Sequence, residues 1–233
     1  MRLHTHTWGT GDRVALLVHG IMADHRTWRR VGPALADLGY RAVAVDLRGH
    51  GASARGERAD YVPERLADDL VDTFPDGVEV AFGHSLGGLA LSLAVERLAP
   101  QRAVYVDPAW RLALGEGVSV DMFAEFKHAT RGNIRMLNPR WDEEDVDIEV
   151  ATLAAWDEES ARALTPYSDR DLAPASPAVK SLVVLADPST LVPARAAADL
   201  VERGFEVRTV KGAGHTIQRD DFDGFMASLD GWV

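Results

Sequence analysis

The chain has 233 residues, 46% of them hydrophobic and 26% charged, a composition that allows one globular domain or one domain with an insertion. Its formal net charge of −11 disfavours nucleic acid and anionic membrane surfaces as partners, and the absence of cysteine excludes disulfides, a thiol nucleophile and thiolate-bound metals. The first residues carry no apolar segment typical of an export signal, and no apolar run is long enough for a membrane helix, so we expect a cytoplasmic protein.

Strands and helices are predicted to alternate along the chain. Short apolar runs indicate buried strands at 13–19, 41–46, 78–83, 102–107, 181–186 and 205–210, and His4 and His6 would share one face of an additional edge strand. Apolar residues spaced three and four apart predict helices over 27–38, 63–74, 86–98, 193–203 and 220–232. This pattern favours an α/β fold with a mostly parallel sheet flanked by helices.

Residues 108–180, termed the inserted segment below, interrupt the alternation, with helix-like stretches at 120–130 and 145–164. We therefore predict a core domain formed by 1–107 and 181–233, with 108–180 as a helical insertion. Between Glu116 and Glu159 the segment holds twelve acidic residues against four lysines and arginines. These charges indicate a solvated outer face or, alternatively, a surface that steers anionic substrates away.

The strongest local motif is Gly83-His84-Ser85-Leu86-Gly87, which lies where a valine-rich strand is followed by an apolar helix. This setting matches the G-x-S-x-G nucleophile elbow, in which the glycines permit a sharp turn and the serine hydroxyl projects from the sheet. The alternative is a glycine-rich turn whose serine caps a helix. The spacing fits neither a dinucleotide-binding loop nor a P-loop.

A serine nucleophile needs a nearby base and a group that orients the base. Among the eight histidines, His215 lies in Gly212-Ala213-Gly214-His215, between the last predicted strand and the last helix, and we predict it as the base. The alternative for His215 is a surface loop histidine. A metal site at His4 and His6 is disfavoured, and no metal is predicted.

Together these residues resemble the α/β-hydrolase family over nearly the whole chain apart from the inserted segment. His19-Gly20-Ile21 looks like the family's oxyanion loop, 46–53 looks like the loop after the next strand, and Gly214-His215 falls at the family's histidine position. The resemblance implies that the inserted segment is a helical cap (lid) over the active site. It also implies backbone N–H groups of Ile21 and Leu86 as the oxyanion hole.

The acid of the expected triad is where the sequence departs from the family pattern. Aligning Val192-Pro193 with the family motif puts Ser189 at the acid position, and serine cannot carry a charge. Two carboxylates remain, Asp107 after the fourth main strand and Asp187 after the fifth, and both keep the family's chain order. We favour Asp107, with Asp187 as the alternative; either could instead cap a loop.

The resemblance implies a serine hydrolase that cleaves a small carboxylic ester or lactone through an acyl-enzyme intermediate, using Ser85, His215 and Asp107. A serine at the elbow disfavours epoxide opening and halide displacement, whose enzymes in the family carry aspartate there. No cofactor is required, and the predicted partner is a small molecule with a carbonyl group. Two alternatives remain: a non-hydrolytic binding protein for a small ligand, and an acyltransferase or lyase on the same fold.

Overall fold

A computed structural model describes residues 1–111, 121–168 and 170–233, with only the backbone at 121 and 122. Glu116 and Val120, which belong to the sequence predictions, lie outside these residues. A seven-stranded sheet organises the described chain in the order β1-β3-β2-β4-β5-β6-β7. Its strands are β1 (Thr5–Trp8), β2 (Arg13–Val18), β3 (Tyr40–Val45), β4 (Val78–His84), β5 (Arg102–Val106), β6 (Lys180–Leu185) and β7 (Glu206–Thr209).

Only the edge strand β1 runs antiparallel, against β3; every other pair in the sheet is parallel. The apolar runs become central strands because both of their faces are covered. Along β2, Leu16 and Val18 belong to the core on one side of the sheet, while Ala15 and Leu17 belong to the core on the other. The predicted α/β class and mostly parallel sheet are confirmed.

Helices lie on both faces of this sheet and in the inserted segment. They are α1 (Val31–Asp37), α2 (Pro63–Thr73), α3 (Leu86–Leu98), α4 (Asp121–Glu125), α5 (Arg131–Leu137), α6 (Glu143–Ala155), α7 (Glu159–Arg162), α8 (Ala194–Glu202), α9 (Ile217–Asp220) and α10 (Phe222–Ala227). Short 3₁₀ helices occupy His25–Trp28, Arg58–Tyr61, Phe126–His128 and Thr165–Tyr167. Within the described residues, no helix has the length and apolar character needed to span a membrane.

Several predicted helices are shorter or divided in the structure. The helix expected over 27–38 begins at Val31, because Pro33, which has no N–H, is accommodated in the first turn. In place of the helix expected over 220–232, α9 ends at Asp220 and α10 begins at Phe222; the non-helical backbone of Asp221 and its side-chain bond to the Gly224 N–H start the new helix. The stretch 145–164 is divided at Trp156, whose backbone is extended.

The two ends of the inserted segment contact each other at residues 110–111 and 171–172. An isolated antiparallel bridge joins Arg111 to Asp171, and their side chains form an ion pair of 2.9 Å. Next to them, the Leu172 N–H donates to the Trp110 carbonyl at 2.8 Å. These four residues, the stem below, hold the two ends of the inserted segment together.

Candidate active site

Ser85 stands between the end of β4 and the start of α3. Its backbone has φ 52° and ψ −118°, a conformation in which a residue with a side chain is strained. Two bonds hold the turn: the Ser85 N–H donates to the Val106 carbonyl, and the Ser85 carbonyl accepts from the Ala109 N–H, both at 3.0 Å. Neighbouring strand β5 and the residues after it therefore stabilise the strained turn.

The glycines on either side of Ser85 are required by space. A Cβ atom at Gly83 would lie 2.6 Å from the Gly87 carbonyl oxygen, and one at Gly87 would lie 2.4 Å from the His19 carbonyl oxygen. Both distances are shorter than real contacts of a Cβ atom, so helix α3 can start this close to β2 and β4 only with glycine at these positions. The motif thus has the strand-turn-helix context that a nucleophile elbow needs.

His215 is oriented by Asp107. The Nδ1 atom of His215 lies 2.6 Å from Oδ2 of Asp107, and because a carboxylate only accepts, the ring donates its Nδ1–H. Asp107 is fully buried, whereas the His215 side chain is 41% exposed. The bond leaves Nε2 of His215 free to accept a proton.

Asp107 is itself fixed at the end of β5. Its backbone has φ 40°, its N–H donates to the Val184 carbonyl at 2.8 Å, and its Oδ1 accepts from the Ala186 N–H at 3.4 Å. Asp187, the other acid candidate, is exposed, and its Oδ2 accepts from the Gly212 N–H at 3.2 Å. Among the described residues, Asp107 is the acid in contact with His215.

Ser85 and His215 line one cavity of about 330 Å³, together with Gly20, Ile21 and Leu86. The inserted segment forms another part of the wall, through Phe123, Glu149, Ala161, Leu164 and Ser168. Within the described residues, the Ser85 hydroxyl makes no hydrogen bond. Bonds between nucleophile and base are often long in substrate-free sites and tighten when substrate is bound.

Two buried histidines shape the loop after β2, which includes Gly20 and Ile21. His19 donates from Nδ1 to the Gly20 carbonyl at 2.6 Å and accepts at Nε2 from the Leu47 N–H at 2.9 Å. His50 donates from Nδ1 to the Arg48 carbonyl at 2.9 Å and accepts from the Met22 N–H at 3.3 Å. Burial lowers the pKa of both, that of His50 to about 3, so both rings are neutral at physiological pH.

His84 connects the elbow to the histidine loop. Its Nε2–H donates to the carbonyl oxygen of His215 at 3.0 Å, while its buried Nδ1 has no partner among the described residues. Burial and then the nearby His215 ring keep the pKa of His84 well below its usual value. The sequence assigned His84 no role beyond its place next to Ser85, because the bond depends on how two distant loops meet.

His4 and His6 have different partners, although the edge strand was expected to place them on one face. His4 and His25 each donate from Nδ1 to Asp46 at 2.8 Å, whereas His6 stacks on the His25 ring. The three ligand-type atoms of His4, His25 and Asp46 lie within 4.8 Å of one another. The two rings already saturate the carboxylate together with backbone N–H groups of His25 and Ala52, so the group is explained as a hydrogen-bonded anchor of the 46–53 loop.

Arg219 and Glu149 also line the cavity, and sequence analysis identified neither. Nη1 of Arg219 donates to Oε2 of Glu149 at 2.6 Å, which joins α9 to α6 of the inserted segment. The spacing of Arg219, four residues after His215, is a weak signal that it shares the site. Glu149 carries no such signal, because its place depends on how the inserted segment packs.

The sequence profile of the alpha/beta hydrolase family matches residues 15–227. This chain belongs to the alpha/beta hydrolase family. The fold and the predicted family are confirmed, and the protein is a hydrolase.

The chain is similar to N-formylmaleamate deformylase of Pseudomonas putida, with 27% identity over 98% of this chain and 91% of that protein. A crystal structure of N-formylmaleamic acid deformylase from Pseudomonas putida S16 superposes with a TM-score of 0.84 and 25% identity, covering 97% of this chain and 95% of that one. A third relative is matched in part. The acetyltransferase component of the acetoin cleaving system of Pseudomonas putida is 35% identical over 54% of this chain, which spans 34% of that protein.

Proposed function

We propose that this alpha/beta hydrolase cleaves a small carboxylic ester or lactone through an acyl-enzyme intermediate. Ser85 is the nucleophile, His215 the general base and Asp107 the acid that orients the base. The observation that carries the proposal is the 2.6 Å bond from His215 to the buried Asp107, beside a cavity that His215 shares with Ser85. A nucleophile, a base and an orienting carboxylate are the three parts that acyl transfer to serine requires.

In the first half-reaction, the Ser85 oxygen attacks the carbonyl carbon while its proton passes to Nε2 of His215. The C–O bond to the alcohol then breaks, and His215 returns the proton to the leaving oxygen. Water repeats the attack on the acyl-enzyme with His215 as base, so that a carboxylic acid and free Ser85 result. Asp107 stabilises the imidazolium in both halves and remains ionised.

The negative charge on the tetrahedral oxygen is stabilised by the backbone N–H groups of Ile21 and Leu86. Leu86 follows the nucleophile in the first turn of α3, where N–H groups have no acceptor within the helix. Ile21 and Leu86 line the cavity with Ser85, which supports this assignment. The buried rings of His19 and His50 then serve to hold the Ile21 loop in place.

We also propose that the inserted segment acts as a cap. Its side chains form part of the cavity wall, and it is tied to the residues after His215 by Arg219 with Glu149 and by the Trp141 Nε1–H, which donates to Asp220 at 3.1 Å. A cap of this kind excludes water and leaves the substrate a largely apolar environment.

A second candidate is hydrolysis of an N-formyl amide by the same residues. The similarity to N-formylmaleamate deformylase over nearly the full length of both chains favours it. The acyl-enzyme would then be a formyl ester of Ser85, and His215 would protonate the leaving nitrogen. In a non-hydrolytic binding protein, by contrast, the hydrogen bond between His215 and Asp107 would serve no catalytic purpose.

The deciding experiment is a stopped assay of the purified protein with short-chain p-nitrophenyl esters, beside Ser85→Ala. We expect a burst of p-nitrophenol followed by turnover in the wild type and neither in the variant. A wild type that releases no p-nitrophenol, or a Ser85→Ala variant as active as the wild type, would contradict the proposal. Parallel assays that follow formate release from an N-formyl amide test the second candidate.

A further inference from the structure

Arg219 places a fixed positive charge at the wall of the cavity. Its side chain is 3% exposed, and its guanidinium lies over the Trp141 ring, 4.6 Å from the centroid. Nη1 is paired with Glu149, but Nε and Nη2 are buried without a hydrogen-bond partner among the described residues. Nε lies 3.4 Å from Oδ1 of Asp145, which is an ion-pair distance without the alignment of a hydrogen bond.

Buried unpaired donors of this kind are costly. A guanidinium cannot lose its proton in a protein, so burial cannot be relieved by neutralisation. Each N–H without an acceptor costs about as much as a lost hydrogen bond, and more when it belongs to a charged group. An arginine kept in this state beside a nucleophile is therefore best explained by a ligand that supplies the missing acceptors.

We infer that Arg219 forms a subsite for a carboxylate group of the substrate, remote from the carbonyl that Ser85 attacks. This inference rests on the proposed function of the same cavity. A carboxylate only accepts hydrogen bonds and presents two oxygens, which match the planar fork of a guanidinium better than a hydroxyl or an amide does. The substrate class is then an acyl compound that carries a second, ionised carboxyl group.

The acidic residues around the cavity oppose this binding less than their number suggests. Asp145 is shared with Arg29, whose Nε donates to the same Oδ1 atom at 3.0 Å. On the inserted segment, Arg131 pairs with Glu143 and Asp147. Arg29 and Arg131 thus offset part of the negative charge. Glu149 is the acidic residue of the cavity wall that competes directly with a carboxylate for Arg219.

The test compares two p-nitrophenyl esters with the same acyl chain length, the neutral butyrate and the anionic hemisuccinate. The readout is the ratio of kcat/KM for hemisuccinate to that for butyrate. We expect Arg219→Gln to lower this ratio at least about tenfold, mainly through KM, because it removes a charge-assisted contact. Arg219→Lys should restore part of the ratio, and Glu149→Gln should raise it above the wild-type value.

Arg29→Gln is the matched control, because Arg29 contacts the same Asp145 without lining the cavity. It should leave the ratio within twofold of the wild-type value even if it loosens the inserted segment. If Arg219→Gln hydrolyses both esters and its ratio also stays within twofold of the wild-type value, the carboxylate subsite is refuted. The proposed hydrolase activity would still stand.

If neither ester is hydrolysed, the proposed function fails and binding alone decides the subsite. Thermal unfolding of the wild type and of Arg219→Gln is then measured with succinate and with the neutral succinamide, at constant ionic strength. A rise in Tm caused by succinate, absent with succinamide and absent in Arg219→Gln, supports the subsite. Equal shifts in both proteins, or no shift in either, overturn it.

Discussion

Nδ1 of His215 lies 2.6 Å from Oδ2 of Asp107, although 108 residues separate them in the chain. Asp187, which follows the neighbouring strand β6, instead accepts a bond from the Gly212 N–H. The two aspartates therefore hold the same loop in different ways: Asp107 at the imidazole, and Asp187 at the backbone three residues before it. Substitutions at the two positions have different expected effects.

Asp107→Asn should lower kcat about 10⁴-fold, because an amide at this position no longer fixes the productive tautomer of His215. Asp187→Asn is the matched control and should change kcat less than about twofold, since an exposed bond to backbone contributes little. Steady-state assays with a p-nitrophenyl ester measure both, and circular dichroism establishes that both are folded. A larger loss in Asp187→Asn than in Asp107→Asn would reverse the assignment.

Ile21→Pro should lower kcat by about two to three orders of magnitude, because it removes one of the two N–H groups assigned to the oxyanion. Ile21→Val keeps the N–H and nearly the same side chain, so its activity should stay close to that of the wild type. The comparison needs single-turnover acylation rates and the Tm of each variant. Equal rates in the two folded variants would remove Ile21 from the oxyanion hole.

Gly87→Ala should destabilise the protein by about 1–3 kcal/mol or more, because its Cβ would lie 2.4 Å and 2.5 Å from the carbonyl oxygens of His19 and Val18. Gly132→Ala is the opposite case. Its Cβ would meet no atom closer than 3.7 Å, and alanine favours the helix by up to about 1 kcal/mol. Urea unfolding of the two variants should therefore give changes of opposite sign, and a stable Gly87→Ala would contradict the close packing at the elbow.

The buried neutral histidines predict a loss of stability in acid. The pKa of His50 falls from 6.5 to about 3 on folding, so between these values the unfolded chain binds more protons and the free energy of unfolding falls as the pH falls. His19 and His84 act in the same direction. Each such group contributes a slope of up to about 1.4 kcal/mol per pH unit.

The pKa of His25 is raised, chiefly by its bond to Asp46. The stability that this bond contributes is therefore fully present below pH 6.5 and is lost as the pH rises through the pKa of His25 in the folded protein. Urea titrations between pH 7 and pH 4 measure the net slope. His50→Asn should reduce this slope by up to about 1.4 kcal/mol per pH unit, which corresponds to one bound proton. An unchanged slope in that variant would mean that His50 is not held neutral.

Much of the architecture follows from local pattern. The strands at 78–84 and 102–106 were predictable because valine-rich runs in a parallel sheet are buried on both faces, and α3 begins and ends where the sequence predicts. Ser85 and His215 stand out because glycines surround them. The sequence favours Asp107 but leaves Asp187 open as the alternative, because which of them contacts His215 depends on the positive φ of Asp107 and on the course of two loops.

Arg219 and Glu149 were missed for a related reason. Their roles arise from packing between α9 and the inserted segment, and no periodic pattern within either element reports such a contact. The division of the last helix at Asp221 likewise depends on one side chain that caps α10.

The stem has a consequence for protein engineering. Because Arg111 and Asp171 join the two ends of the inserted segment, and Asp107 precedes them, they mark the positions at which another segment can be joined without changing Asp107 or the elbow. Under the proposed cap role, such grafts are expected to vary substrate selectivity, and each graft needs side chains in place of Glu149 and Trp141 that bind Arg219 and Asp220. Boundaries drawn at 107 and 180 would instead cut next to Asp107 and disturb the bond that the Ala109 N–H donates to Ser85.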